Sequence, residues 1–295
     1  MAAKKIFVVF GATGNQGGSV IKSMLADAKA SQEFKLRGIT RDPSSGRAKA
    51  LAEKGVECVA GDINDKASLK SAFKGAHSVF AVTNYWEKMD DKLEVQQGKN
   101  IADAAKEENI QHLIFSTLFN VNEITNGTYK NVYHFDSKAT IEAYIRSSGI
   151  PASFFMPGFF MSNLETALRS DGQSPPTYTM AMPFPPTTPI PFFDPADDSG
   201  KFVKAMVMKR DEVLGKNVLG ATAYTTPEDV IKAFKEVKKG VQAQFVQIDK
   251  DTYKGALAQA GMPQYIQEEL YENMAFMNDY GYYGKRSLDW SHSVS

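Results

Sequence analysis

Lys5-Ile6-Phe7-Val8-Val9-Phe10-Gly11-Ala12-Thr13-Gly14-Asn15-Gln16-Gly17-Gly18 is the stretch on which the fold turns. A short apolar run, Lys5 to Phe10, reads as a buried strand and passes straight into glycines spaced Gly11-x-x-Gly14-x-x-Gly17. Apolar residues at helical spacing then follow from Gly17 to Lys29. A strand, a glycine turn and a helix N-terminus together make an anion site. Free N–H groups and the helix dipole face a pyrophosphate, and the missing side chains let it come close. Three glycines alone are weak evidence and fit a plain turn. Their place between a strand and a helix makes the signal specific.

The pattern repeats outward from this unit. Val-, Ile- and Phe-rich runs at Lys35–Thr40, Glu57–Ala60, Ser78–Val82, Leu113–Ser116 and Ala152–Met156 read as strands. Helical spacing lies between them at Arg47–Lys54, Ser68–Phe73, Lys92–Glu108 and Ser137–Ser147. Alternation at this pace predicts an α/β fold with a doubly wound parallel sheet, occupying residues 1–158. Residues 159–295 are expected to form a smaller α+β domain, with some segments returning to the first. That part opens with an arm, residues 171–195, which holds eight of the thirteen prolines. Such density excludes helix and central strand. The interleaved Tyr178, Met180, Met182, Phe184, Phe192 and Phe193 argue against disorder, because such side chains seek burial. Helices are expected at Asp197–Lys209, at Thr226–Lys239 (Thr226 as N-cap, Pro227 first in the helix), at Thr252–Ala260 and at Gln264–Met277, with a strand at Phe245–Ile248.

Ligands of such sheets lie beyond the carboxyl ends of the strands. An acidic residue ending the second strand would hold a ribose and favour NAD, but the chain reads Thr40-Arg41-Asp42-Pro43. The planar fork of Arg41 suits a 2′-phosphate, so the expected cofactor is NADP(H), with Asp42 a turn residue. Asp62 and Ile63 are placed to flank the adenine, and Thr83 and Asn84 to follow the phosphates and ribose. Tyr85 and Trp86 either wall the nicotinamide or substrate region or pack within their loop.

Composition narrows the classes. Thirty-four Lys and Arg balance thirty-four Asp and Glu, which argues against a nucleic-acid coat, and the basic spots are mixed with acids. One cysteine, Cys58, excludes an intrachain disulfide framework and a CxxC zinc site. The four histidines, His77, His112, His134 and His292, are scattered and suggest no metal. No run is long enough to span a membrane, the start lacks a signal-peptide pattern, and Ser291–Ser295 matches no lipidation or retention signal. The expectation is a cytoplasmic protein, with the nucleus also open.

Gly11-Ala12-Thr13-Gly14-Asn15-Gln16-Gly17, Thr40-Arg41, Gly61-Asp62, Thr83-Asn84-Tyr85-Trp86-Glu87, His134-Phe135-Asp136-Ser137-Lys138 and Met156-Pro157-Gly158-Phe159-Phe160 resemble the NmrA-like family of atypical short-chain dehydrogenase/reductases. The likeness is nearest to its NADPH-sensing, HSCARG-type members. It is specific from residue 4 to about 165 and weak to about 240. It implies a Rossmann domain binding NADP(H) and a smaller domain closing a cleft. Its cofactor set comprises Gly11, Thr13, Gly14, Asn15, Gln16, Gly17, Arg41, Asp62, Ile63, Thr83, Asn84, Tyr85, Ser116, Lys138, Pro157 and Phe159. Some members sense the NADPH/NADP balance and bind other proteins, whereas others reduce quinones or phenylpropanoids, so membership alone leaves the activity open.

Typical short-chain dehydrogenases carry Tyr-x-x-x-Lys. Here Lys138 is present, His134 holds the Tyr position, and Tyr133 is offset by roughly 100° around the helix. Residues i and i+4 share a helix face, so His134 and Lys138 are the candidate catalytic pair. An imidazole titrating near about 6.5 can deliver a proton, although a neighbouring Lys⁺ would depress it. His134 is thus an acid, a cofactor contact or a packed residue. Ser116 and Thr117 either support a reacting oxygen or cap a strand end. Two functions stand. One is a redox-state sensor or regulator acting through a protein partner, with little or no turnover. The other is an NADPH-dependent reductase of a small carbonyl, quinone or imine, whose apolar pocket would use Phe159, Phe160, Met180, Met182 and Phe184. A homodimer is left open.

Overall fold

The structure is a computed structural model and describes residues 3–288, so His292 and the tail 291–295 lie outside the described residues. Strands β1 (Lys5–Val9), β2 (Phe34–Thr40), β3 (Glu57–Ala60), β4 (Ala76–Ala81), β5 (His112–Ser116) and β6 (Ala152–Pro157) alternate with seven helices. These are α1 (Asn15–Ala26), α2 (Ala28–Glu33), α3 (Gly46–Ala52), α4 (Lys66–Phe73), α5 (Asp91–Glu107), α6 (Val121–Ile124) and α7 (Tyr133–Ser148). The second half holds β7 (Phe159–Phe160), α8 (Leu164–Ala167), β8 (Leu168–Ser170), β9 (Thr177–Met182), β10 (Phe192–Phe193), α9 (Ser199–Met208), α10 (Arg210–Val213) and β11 (Asn217–Gly220). It ends with α11 (Pro227–Val237), β12 (Gln242–Gln247), α12 (Lys250–Gln259) and α13 (Gln264–Tyr280).

Seven strands form one sheet in the order β3-β2-β1-β4-β5-β6-β11, and every pair is parallel. Alternation along β1 assigns its side chains to two layers. Phe7 and Val9 join Val20, Ile21, Met24, Phe155, Phe202 and Val203 on the α1 and α9 side. Val8 and Phe10 join Leu69, Phe73, Ile101, Ala105, Ile141 and Ile145 on the α4, α5 and α7 side. Both faces are covered, which is why the strands read as continuous apolar runs. Each buried Phe or Ile contributes roughly 1.5–3 kcal/mol relative to exposure.

Several expectations need correcting. The proline arm contains β9, the middle strand of a β12-β9-β8 sheet. Its six residues are free of proline, so the ladder keeps its donors, and the prolines flank it. The arm is well packed: Met180, Phe184, Ile190 and Phe193 are each 1 % exposed. Strand β11 was not expected, because four residues between a helix and a loop carry little periodicity. It and α9 bring residues 199–220 back to the large sheet, α9 lying along α1. Helix α7 begins at Tyr133, four residues before the expected start. The buried carboxylate of Glu269 accepts the His134 N–H at 2.9 Å and supports the early turn from a distant part of the chain. Strand β12 starts at Gln242 rather than Phe245. The Thr226 cap with Pro227 at the first position is present, completed by Asp229 as a capping box.

Two close approaches require glycine. A Cβ on Gly17 would lie 2.2 Å from the Phe10 carbonyl oxygen, so this position sets how near α1 can come to the end of β1. A Cβ on Gly200 would lie 2.1 Å from the Ser19 carbonyl oxygen, where α9 crosses α1. Gly200→Ala is therefore expected to destabilise the protein by about 1–3 kcal/mol. In urea unfolding the midpoint should fall while the slope stays constant; an unchanged midpoint would refute this close-contact account.

Candidate functional site

The sheet reverses its winding between β1 and β4, and a cleft of about 590 Å³ opens at the carboxyl ends of these strands. Gly11, Thr13 and Gly14 line it from the turn after β1, and Thr40, Arg41 and Asp42 from the end of β2. Asp62 and Ile63 line it after β3, and Asn84, Tyr85 and Glu87 after β4. The start of α1 has neither a side-chain cap nor an acidic residue in its first turn. Its first N–H groups thus face the cleft end of the sheet without a competing carboxylate of their own helix. Asn15 is exposed beside them, and Gly17 is buried beneath the turn. Arg47, at the start of α3, lines the same end as Arg41 and had no sequence signal of its own.

Asp42 acts as a turn residue: its carboxylate accepts from Ser44 N at 2.8 Å and from the Ser44 hydroxyl, which hold it below its ordinary range. Asp62 folds over Asn64 in the same manner, accepting from its N–H at 2.9 Å. Arg41 reaches back across the cleft to Glu87, with Nη1 2.8 Å from Oε1.

The remaining candidates sort into two buried networks, each centred on a carboxylate that the sequence did not single out. Glu94 of α5 is 1 % exposed. It pairs with the Lys138 ammonium and accepts from the hydroxyls of Ser137 and, at 2.7 Å, Thr83. Burial alone would raise the Glu94 carboxyl. The Lys138 charge and the hydrogen bonds from Lys138, Ser137 and Thr83 outweigh it and hold the group below its ordinary range. Thr83 therefore turns its hydroxyl into this network, and Glu94 itself lines the cleft together with Asn84 and Tyr85.

Glu269 of α13 is fully buried. Its Oε1 lies 2.6 Å from His134 Nδ1, and its Oε2 accepts from Tyr85 OH at 2.6 Å. A carboxylate at Nδ1 fixes the imidazole tautomer and orientation, leaving Nε2 as the free nitrogen. The rings of Trp86 and Phe135 flank the imidazole at 4.7 and 4.9 Å between centroids. Burial, and then the hydrogen bond to Glu269, hold the Tyr85 phenol far above its ordinary range, so Tyr85 is a fixed donor. His134 and Lys138 share one helix, yet each is claimed by a different carboxylate. The Lys138 charge is matched by Glu94, which removes the premise that it acts unopposed on the imidazole.

Other candidates serve the frame. Ser116 donates to Gln16 Oε1 at 3.1 Å, joining the start of α1 to the end of β5. Thr117 donates to the Lys138 carbonyl at 3.2 Å. Pro157 is buried at the end of β6, its carbonyl accepting from Tyr282 OH, and the Phe159 ring meets Phe192 edge-on at 5.7 Å. Phe159, Met182 and Phe184 belong to one apolar cluster around α13, whereas Met180 packs below the small sheet and Phe160 against the α1 side. Tyr133 donates to Asn131 Oδ1 at 3.0 Å, away from Lys138. Among the described residues no cluster of His, Cys, Asp or Glu could hold a metal, and no helix is long and apolar enough to cross a membrane.

Asp136 lies between these networks and accepts from the Val121 N–H at 2.6 Å, supporting the start of α6. Burial pushes its carboxyl up to about 6; the N–H groups of Val121 and Asn122 oppose the shift, and Glu269 and Glu272 add to it. Its folded value thus exceeds the ordinary 3.8, and the native state binds more protons between the two values. Stability should fall as pH rises from about 4 to about 6 and level off above that. Asp136→Asn keeps an acceptor oxygen but cannot ionise. Thermal unfolding across this range should show the wild type losing ground to the variant only inside that window, and a pH-independent difference would contradict the assignment.

Comparison with known proteins agrees with this geometry. The NmrA-like family matches residues 3–295. The NmrA-like family domain-containing oxidoreductase malD of Malbranchea aurantiaca is 31% identical over 264 residues, covering 83% of this chain and 76% of malD. The solved structure of NmrA, a negative transcriptional regulator, in complex with NADP superposes with a TM-score of 0.77 at 22% identity, covering 94% of this chain and 83% of NmrA. Triphenylmethane reductase from Citrobacter sp., complexed with NADP(H), gives 0.74 at 20%, covering 98% and 95% of the two chains. At such identities the structures speak to the fold, and both share it. The sequence matches go further: the chain belongs to the NmrA-like family.

Proposed function

We propose that the cleft binds NADP(H) and that the protein acts as a sensor of its redox state through a protein partner, with little or no turnover. The observation that carries the cofactor is the meeting, at the winding reversal, of an uncapped helix start with Arg41 and Arg47. Gly11, Thr13, Gly14, Asn15, Gln16 and Gly17 would receive the pyrophosphate through backbone N–H groups. Arg41, assisted by Arg47, would take the 2′-phosphate, and Asp62 and Ile63 would flank the adenine. Asn84 and Tyr85 would border the riboses, and Lys138, Pro157 and Phe159 would lie toward the nicotinamide.

The sensor reading rests on the state of the groups that would do chemistry. The Lys138 ammonium is already matched by buried Glu94, and the Tyr85 and Tyr133 phenols are committed elsewhere. No tyrosine stands four residues before the lysine to pass a proton under its influence.

A reductase is the second reading, favoured by the His134–Glu269 pair and consistent with the oxidoreductase name of malD. Bound NADPH would supply a hydride to a substrate carbon. His134, entering the step as the imidazolium, would then give its Nε2 proton to the substrate oxygen and be left as the neutral ring with Nδ1–H on Glu269, which holds it in place.

Fluorescence titration should show NADPH binding more tightly than NADH. Arg41→Ala should weaken NADPH by roughly tenfold or more, the loss of a charge-assisted contact, and leave NADH nearly unchanged. Tighter binding of NADH would overturn the 2′-phosphate assignment. At saturating NADPH, absorbance should stay constant with quinones, aldehydes and imines. Sustained oxidation of NADPH, abolished by His134→Ala, would replace the sensor with the reductase.

A further inference from the structure

The Arg41–Glu87 pair spans the cleft in a way that bears on its ligand. Arg41 follows β2 and Glu87 follows β4, and these strands are separated in the sheet by β1. The ion pair, 2.8 Å long, therefore crosses above the end of β1, over the glycine turn that would receive a pyrophosphate. Both side chains face water, at 80% and 46% exposure, so neither is held by packing and either can be exchanged for a ligand group. Arg47 and Lys88 line the same cleft and have no ion-pair partner among the described residues. Of these three cations, only Arg41 is already compensated.

We infer that Glu87 sets the preference between NADP(H) and NAD(H), acting as an internal competitor of the 2′-phosphate for Arg41. The inference rests on the NADP(H) reading of the cleft. A 2′-phosphate brings up to two negative charges to the guanidinium that Glu87 occupies. It must displace the carboxylate or share the fork with it, and in either case Glu87 opposes binding. A 2′-hydroxyl carries no charge and leaves the ion pair in place. Glu87 thus lowers affinity for the phosphorylated dinucleotide selectively and narrows a preference that Arg41 creates. For a sensor this moves the binding midpoint toward higher cofactor concentration without altering the pyrophosphate seat. The neighbouring Trp86, 41% exposed, rides on the same turn and would report the exchange.

The test is a set of dissociation constants for NADPH and NADH, measured by titration calorimetry on wild type, Glu87→Gln and Glu87→Lys. Because the side chain is exposed, both variants should fold. Glu87→Gln is expected to bind NADPH about threefold to tenfold more tightly at low salt, with NADH changed less than about twofold. Glu87→Lys should go further in the same direction. The gain should shrink toward unity in about 0.5 M salt, as screening of exposed charges requires. NADPH affinities within about twofold of wild type, weaker binding, or equal tightening of NADH would overturn the role of Glu87 and leave the cofactor reading intact. If wild type binds neither dinucleotide, the cofactor reading itself fails.

Discussion

A carboxylate without access to water must be surrounded by donors, and Glu94 and Glu269, 1% and 0% exposed, are in that position. Glu94 takes Lys138, Ser137 and Thr83; Glu269 takes the His134 ring and backbone and Tyr85. Removing one partner from such a set typically costs about 3–5 kcal/mol, so the groups are locked together more firmly than exposed pairs. These two side chains fix the orientation of Thr83, Ser137, Lys138, His134 and Tyr85. Glu94 ties α5 to α7, and Glu269 brings α13 onto the turn after β4. The inner part of the site is thus set from the interior, whereas the rim, with Arg41 and Glu87, is set by groups in solvent.

The two parts of the cleft differ in how their charges are held. Lys138 and His134 have fixed partners and defined orientations. Arg41, Arg47 and Lys88 are exposed cations at the rim, where salt screens their charge. A dinucleotide laid across this cleft would meet buried, paired groups on one side and exposed charges on the other.

What could be read in advance follows from the distance over which each constraint acts. The glycine turn and the apolar strand runs are local, and β1 to β6 lay within a few residues of expectation. Arg41 was legible because its place is fixed by counting from the turn. Glu94 and Glu269 were not, since Ser137 and His134, which they hold, lie 43 and 135 residues away and an acidic residue on a helix ordinarily signals a solvated face. The proline arm misled in a different way: proline density was averaged over the segment, while a strand needs only six consecutive donors, and residues 177–182 supply them. Four-residue β11 was too short to show a period at all.

Helix α9 and strand β11 have a consequence for how the chain assembles. Until residues 199–220 emerge, β6 has no neighbour on one side, and Phe155 lacks the ring of Phe202 that packs on it. During synthesis the parallel sheet therefore waits, with an open edge and an uncovered apolar face, while more than fifty intervening residues are made. Such nascent species are prone to aggregate, because non-local pairings form slowly and exposed edges recruit other chains.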